Sequence, residues 1–228
     1  MVSSHSIAQA DCRQALTFDL DVSGSVDQEE YQLQIEGLAA ALTSPDVVST
    51  TLTMPEFTMR LLVFECSGQN YQCILMPWTE ILNIKTLQNL STELRLTHRH
   101  NAPLPTALGK ATPTSVSYLN QQPSCWKRTL DTSSDREDNT GPALNKLNLP
   151  YKISNIVINT LAIGVVAKTR ISHKKLSINE LATYFESRIL AGPGAFFEIA
   201  INFDNYTRAM SHKLLSELEF TSLSNLFK

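Results

Sequence analysis

Segments of strand character alternate with segments of helical period along most of the chain, and this alternation limits the folds that it can adopt. The strand-like segments are residues 15–21, 60–65, 72–76, 127–133, 154–165 and 195–201. The helix-like segments are residues 27–42, 84–96, 105–119, 177–189 and 204–219. This order predicts an α/β fold with a doubly wound, mostly parallel sheet and helices on both faces. The turn at residues 67–70 predicts a hairpin, which adds one antiparallel edge strand.

Several helix ends have their own sequence signals. Asp27 with Glu30, and Ser177 with Glu180, have the spacing of capping boxes. Pro105 is placed to begin a helix, in which Pro113 predicts a kink or a break. These signals predict where the helices lie between the strands.

Composition excludes several classes of function. The chain has 228 residues, 43% of them hydrophobic and 18% charged, with a formal charge of −3, which predicts one large soluble domain with a well-buried core. The apolar run at residues 156–166 is interrupted by Asn159 and Thr160 and is too short to cross a bilayer. With a pI near 6.0 and no stripe of Lys and Arg, we expect no binding to nucleic acid.

The first ten residues bear on export. Ala8-Gln9-Ala10 fits the small-x-small pattern of a signal-peptidase site, but residues 1–7 lack the apolar segment of a working signal peptide. The motif is therefore either a chance match or the remnant of an export signal. We expect a tail at residues 1–10, a domain at residues 11–220 and a second tail at residues 221–228.

The four cysteines allow two pairings. Cys12 and Cys125 each precede a predicted strand, so a disulfide between them is plausible in an oxidising compartment, and two free thiols are expected in the cytosol. Cys66 and Cys73 flank the hairpin turn, where they either face each other or remain free. No CxxC spacing is present, which argues against a zinc or thioredoxin-type site.

Polar side chains directly follow the first predicted strand. Asp21, Ser23 and Ser25 supply one carboxylate and two hydroxyls at a strand end, where open α/β sheets present their ligand sites. Oxygen donors without imidazole or thiolate favour Mg²⁺ or Mn²⁺. Thr106, in a loop that opens a helix, and Asp135, after a later strand, are the candidates for the missing ligands. The five residues predict a divalent-cation site with a coordination position left for an exogenous ligand.

The set Asp21-x-Ser23-x-Ser25, Thr106 and Asp135 resembles the metal-ion-dependent adhesion site (MIDAS) of von Willebrand factor A (vWA) domains in order, spacing and context. From about residue 10 to residue 218, the chain is also similar to a bacterial family of uncharacterised vWA-like proteins. The segments that carry this second resemblance are residues 10–13, 21–27, 31–34, 37–42, 105–109 and 192–196.

The resemblance implies a vWA-like, Rossmann-like three-layer sandwich in which the first and fourth strands are adjacent. It also implies export to the periplasm or the cell exterior; without export the chain would be cytoplasmic. In vWA domains a partner protein completes the metal coordination with an acidic side chain. The resemblance therefore implies a protein-binding module rather than an enzyme.

Two features depart from the resembling sequences. Glycines in those sequences are replaced by Ser134 and Arg136, which predicts backbone strain if either position requires a positive φ. Arg136 also adds a cation that can pair with Asp135 and weaken metal binding. These departures leave open a vWA scaffold whose metal site has degenerated. The second feature is Asp19, a usually apolar position, where a buried acid is costly unless it pairs or becomes protonated.

Asp19 opens a rival interpretation. Asp19-Leu20-Asp21-Val22-Ser23 resembles the DxDx(T/S) motif of haloacid-dehalogenase-type phosphatases, in which Asp19 would be the nucleophile and Asp21 the general acid. Asp135 and Asp138 then resemble the acidic motif that holds Mg²⁺. No convincing lysine at a strand end precedes that motif, which argues against this interpretation.

Two further clusters are expected to be structural. His98-Arg99-His100 is predicted to lie in an exposed polar loop, because no carboxylate or cysteine ligand accompanies the two imidazoles. Gly192-Pro193-Gly194 lacks the lysine of a phosphate loop and precedes a strand, which predicts a turn.

Overall fold

The computed structural model describes residues 11–104, 106, 108–137, 155–164 and 178–224. Its six strands are β1 (Asp11–Asp21), β2 (Phe57–Ser67), β3 (Tyr71–Ile81), β4 (Lys127–Ser134), β5 (Ile156–Ile163) and β6 (Phe197–Ala200). Its helices are α1 (Gln28–Leu42), α2 (Pro45–Leu52), α3 (Ile84–Arg95), α4 (Leu108–Leu119), α5 (Ile178–Arg188) and α6 (Tyr206–Ser224), the last preceded by a 3-10 turn at Phe203–Asn205. The alternation seen in the sequence is therefore present in the structure.

The six strands form one sheet in the order β3-β2-β1-β4-β5-β6. Only β3 runs antiparallel to its neighbour, at one edge of the sheet. The predicted fold class is confirmed, and so is the adjacency of the first and fourth strands. In the β1–β4 pairing Leu20 lies opposite Ser133, so the residues that follow these strands emerge side by side.

Helices cover both faces of the sheet. On one face α1, α2, α3 and α6 pack over Leu16, Phe18 and Leu20 of β1. On the other face α4 and α5 pack over Ala15 of the same strand and over β5. Because side chains alternate along a strand, one central strand contributes to both cores, which leaves β1 almost entirely buried.

Helix α1 follows the local signals in its sequence. The predicted capping box is present, with Asp27 accepting from the Glu30 amide and Glu30 accepting from the Asp27 amide, both at 2.9 Å. A side chain at Gly37 would bring its Cβ within 2.6 Å of Tyr206 Cδ1, so the missing side chain permits the close approach of α6. The capping box sets the first residue of α1, and the loop after β1 ends there.

Helix α2 has no counterpart in the sequence prediction. Its C-terminal carbonyls, those of Thr50 and Thr51, accept from Arg13 Nη2 at 3.2 and 2.7 Å. Arg13 lies near the start of β1 and is fully buried, so its positive charge stabilises the negative end of this helix from inside the molecule. This long-range contact adds to the local start signal of Pro45 after Ser44.

Other predicted boundaries shift by a few residues. Helix α4 continues through Pro113 and is not broken there, and α6 extends to Ser224, past the predicted end at 219. Pro105 and Ser177, predicted to start α4 and to cap α5, lie outside the described residues, as do the predicted tail at 1–10, Asp138 and residues 225–228.

The structure contains a disulfide between Cys12 and Cys125, with their Cα atoms 4.5 Å apart. Cys66 and Cys73 are free. Across the hairpin Cys66 pairs with Gln72 and Cys73 pairs with Glu65, so the two thiols project to opposite faces of the sheet. No helix in the described part of the chain is long and apolar enough to cross a membrane.

Candidate functional site

The predicted metal-site residues meet where β1 and β4 end. Asp21 is the last residue of β1, and Ser134 is the last residue of its parallel neighbour β4. Ser134 Oγ donates to Asp21 Oδ2 at 2.5 Å, and the Ser23 amide donates to Asp21 Oδ1 at 2.9 Å. Both oxygens of the Asp21 carboxylate therefore accept a hydrogen bond, one from the end of β4 and the other from the loop that follows β1.

The hydroxyls of the predicted set lie within hydrogen-bond distance of one another. Ser23 Oγ is 2.9 Å from Thr106 Oγ1 and 3.3 Å from Ser25 Oγ. Ser25 Oγ donates to Asp135 Oδ1 at 2.6 Å. The structure therefore places Asp21, Ser23, Ser25, Thr106 and Asp135 in one contiguous group, although Thr106 is 85 residues from Asp21 in the sequence (106 − 21).

The loop that precedes α4 is fastened to the loop that follows β1, which brings Thr106 to the site. The Gly24 amide donates to the carbonyl of Leu104 at 2.9 Å. A Cβ at Gly24 would lie 2.8 Å from Leu104 Cδ2 and 3.1 Å from the Leu104 backbone, so the missing side chain favours this close approach of the two loops. Arg99 Nη2 also donates to the carbonyl of Val22 at 3.2 Å.

The side chains of the site are mostly buried, and Ser25 and its neighbour Gly24 lie on the more exposed side. Asp21 is 1% exposed and Asp135 is 7% exposed, while Ser25 is half-buried. Burial raises the pKa of Asp21, and the hydrogen bonds from Ser134 and Ser23 and the charge of Arg136 act in the opposite direction. Two carboxylates in a buried site repel each other, and a cation placed between them would relieve that repulsion.

The strain predicted for the two replaced glycines is not found. Asn155 is the single non-glycine residue of the described chain that has a positive φ, so neither Ser134 nor Arg136 is strained. The pairing predicted for Arg136 is found, since its Nε lies 3.9 Å from Asp135 Oδ2. Ser134 also accepts from the Arg136 amide at 3.2 Å, which ties the loop to the end of β4.

Asp19 is buried beneath the site and is 1% exposed. Burial raises its pKa to about 7, so the predicted cost of this acid is met by a tendency to protonate. Thr132 Oγ1 donates to Asp19 Oδ2 at 3.3 Å, and a hydrogen bond from the buried Cys66 thiol also acts against the rise in the pKa of Asp19. A nucleophilic carboxylate must reach a phosphorus atom, and this degree of burial argues against the phosphatase interpretation.

The donors that are present suit one kind of ion. The described residues contain no group of three or more His, Cys, Asp or Glu side chains able to hold a metal. His98 and His100 are exposed, as the loop prediction requires. Two carboxylates and three hydroxyls form an all-oxygen set, which fits Mg²⁺ or Mn²⁺ better than a metal that prefers nitrogen or sulfur.

A second buried polar cluster has no counterpart in the sequence prediction. Lys213 Nζ of α6 lies 2.6 Å from Asp131 Oδ2 and 2.8 Å from Glu217 Oε1, and Asn159 Nδ2 donates to the same Glu217 oxygen at 2.6 Å. The i, i+4 spacing of Lys213 and Glu217 is visible in the sequence, but it indicates an ion pair only weakly. The cluster lies between α6 and the sheet, and all four side chains are buried.

Solved structures with this fold include a pilus adhesin and a thread matrix protein. The chain superposes on the pilus adhesin SpaC from Lactobacillus rhamnosus GG, open conformation, with a TM-score of 0.64 at 12% identity, over 93% of this chain and 31% of that one. Proximal thread matrix protein 1 (PTMP1) from the mussel byssus, with a zinc-occupied MIDAS motif, gives a TM-score of 0.61 at 12% identity, over 93% and 47% of the two chains. The chain thus spans less than half the length of either protein.

The chain has a vWA-like α/β fold. Residues 11–222 match a family model described as protein of unknown function (DUF1194), and the chain belongs to that family. No curated protein matches the chain.

Proposed function

We propose that this chain is a metal-ion-dependent protein-binding module in which Asp21, Ser23, Ser25, Thr106 and Asp135 hold Mg²⁺ or Mn²⁺. The observation that carries the proposal is the convergence of these side chains at the adjoining ends of β1 and β4. Hydrogen bonds of 2.6–3.3 Å connect Ser23, Ser25, Thr106 and Asp135, and Asp21 accepts from the Ser23 amide at 2.9 Å. Other folds of this class use the same edge of the sheet for ligands.

The ion would supply a strong but reversible attachment point for an acidic side chain. Mg²⁺ takes six oxygen ligands, and five protein donors, some acting through water, leave a position for a carboxylate from a partner protein. PTMP1, which has this fold, has a zinc-occupied MIDAS motif, and this supports a metal site in the present chain. The all-oxygen donor set supports Mg²⁺ or Mn²⁺ over zinc here.

Export is part of the proposal. The disulfide between Cys12 and Cys125 is a bond that persists in oxidising compartments such as the periplasm or the cell exterior. The binding module would comprise the predicted residues 11–220 together with the last turn of α6, which ends at Ser224.

A vWA scaffold with a degenerate metal site is the second candidate. The observation that favours it is the contact of Arg136 with Asp135, because a cation of the protein then lies beside one of the two carboxylates. Metal titration separates the two candidates.

The experiment is thermal unfolding in EDTA and in excess MgCl₂ or MnCl₂. At an ion concentration about 100 times the dissociation constant, we expect a rise in melting temperature of about 5–10 °C. Asp21→Asn and Asp135→Asn should abolish the rise, because each removes a carboxylate ligand.

Asp46→Asn serves as the matched control. Asp46 is exposed on α2, whose C-terminal end contacts Arg13 at the opposite end of β1 from Asp21. This variant should keep the full rise. The absence of any rise in the wild-type protein at saturating metal would overturn the binding-module proposal in favour of the degenerate scaffold.

A further inference from the structure

Arg136 lies where a charged group can control the site. Its Nε is 3.9 Å from Asp135 Oδ2, while the other oxygen of Asp135 accepts from Ser25. The Arg136 backbone is fixed by the bond from its amide to Ser134 Oγ. Its side chain is 35% exposed, whereas that of Asp135 is 1% exposed. The guanidinium is thus tethered at the rim of a buried anionic site but can move outward into solvent.

Arg136 stabilises the same ionised carboxylates that a divalent ion requires. Its charge lowers the pKa of Asp21, against the larger effect of burial, and its side chain pairs directly with Asp135. Without metal, the cation that offsets the buried negative charge comes from the protein itself.

We infer that Arg136 is a tethered counter-cation that competes with a divalent ion for Asp135 and so sets the ion concentration at which the site fills. This inference rests on the proposed function and adds its regulation. An ion that takes Asp135 displaces the guanidinium toward solvent, at the cost of one partly exposed ion pair. Arg136 therefore raises the threshold for metal without blocking the site.

The test is isothermal titration of metal-free wild type, Arg136→Lys, Arg136→Gln and Arg136→Glu with MgCl₂ and with MnCl₂ at low ionic strength. We expect Arg136→Gln to bind each ion about fivefold more tightly than wild type, because a repulsive and competing charge is gone. Arg136→Glu should bind still more tightly, and Arg136→Lys should stay close to wild type. A merely structural role for the side chain would not follow this order of charge.

Arg128→Gln is the matched control, because Arg128 lies at the start of β4, away from the site, where it donates to Asn120. It should change the affinity less than Arg136→Gln does. In EDTA, Arg136→Gln should unfold at a lower urea concentration than wild type, because the buried carboxylates lose a compensating charge.

The outcomes separate the two claims. Affinities that follow the charge at position 136 support the inference. Equal ion affinities in all four proteins would overturn the role of Arg136 and leave the metal site standing. If none of the four binds either ion, the proposed function fails, and the inference fails with it.

Discussion

At the scale of single residues, Lys213 is the centre of a buried group of charges outside the candidate site. Its ammonium lies between the carboxylates of Asp131 and Glu217, and all three residues are at most 1% exposed. Burial raises the pKa of Asp131 to about 7 in spite of the adjacent lysine. The lysine pKa is raised by the two carboxylates, against the effect of burial. One ammonium therefore compensates two buried carboxylates, and the cluster depends on that single cation.

Lys213→Met should destabilise the protein by about 3–5 kcal/mol at pH 8, because it leaves two buried carboxylates without a cation. An acid whose pKa is higher in the folded state than in the unfolded state stabilises the fold most below its unfolded pKa of about 4. That stabilisation disappears as the pH rises through the folded-state pKa of Asp131, which is about 7. The loss of stability in Lys213→Met should therefore be smaller at pH 5 than at pH 8. Urea unfolding at the two pH values measures it.

The exposed substitution Lys85→Met on α3 should have little effect at either pH. Adding Asp131→Asn to Lys213→Met should recover part of the loss. A deficit in Lys213→Met that is the same at pH 5 and pH 8 would show that uncompensated charge is not its cause.

At the scale of elements, the sequence predicts the central strands and the positions of the site loops well. The apolar run before Asp21 and the capping signal at Asp27 delimit the loop after β1 by local chemistry, so its position could be predicted from a few residues. The capping and hydrophobic period of α1 were sufficient for the same reason.

Elements that depend on distant residues were not predicted. Helix α2 buries only Val47 and Thr51 and gains its stabilising contact from Arg13, more than thirty residues earlier. Ser134 and Asp21 are 113 residues apart in the sequence. The hydrogen bond between them depends on the register in which β4 pairs with β1. A single sequence contains no record of that register, so the partner of Asp21 could not be predicted.

At the scale of the whole molecule, the disulfide joins the N-terminal start of β1 to the segment before β4. Cys12 and Cys125 are separated by 113 residues, and both are buried against the core formed by α4 and α5. The bond therefore links the two strands whose opposite ends carry the candidate site. A cross-link over a loop this long restricts the unfolded chain strongly.

The double variant Cys12→Ala/Cys125→Ala should lose stability, by up to about 4–5 kcal/mol on a chain-entropy basis. Dithiothreitol should lower the melting temperature of the wild type and leave that of the double variant unchanged. Cys73→Ser, which removes a free thiol, should behave like wild type. Four titratable thiols in unfolded, unreduced protein made in an oxidising compartment would contradict the pairing.

The central claim is that residues from three separate parts of the chain form one divalent-cation site. Anomalous diffraction from a crystal soaked in MnCl₂ tests it most directly. We expect a manganese peak about 2.0–2.3 Å from oxygen atoms of Ser23, Ser25 or Asp135, or joined to them through ordered water, with Asp21 and Thr106 alongside. The absence of a peak at this position, with Arg136 still paired to Asp135 at saturating manganese, would contradict it.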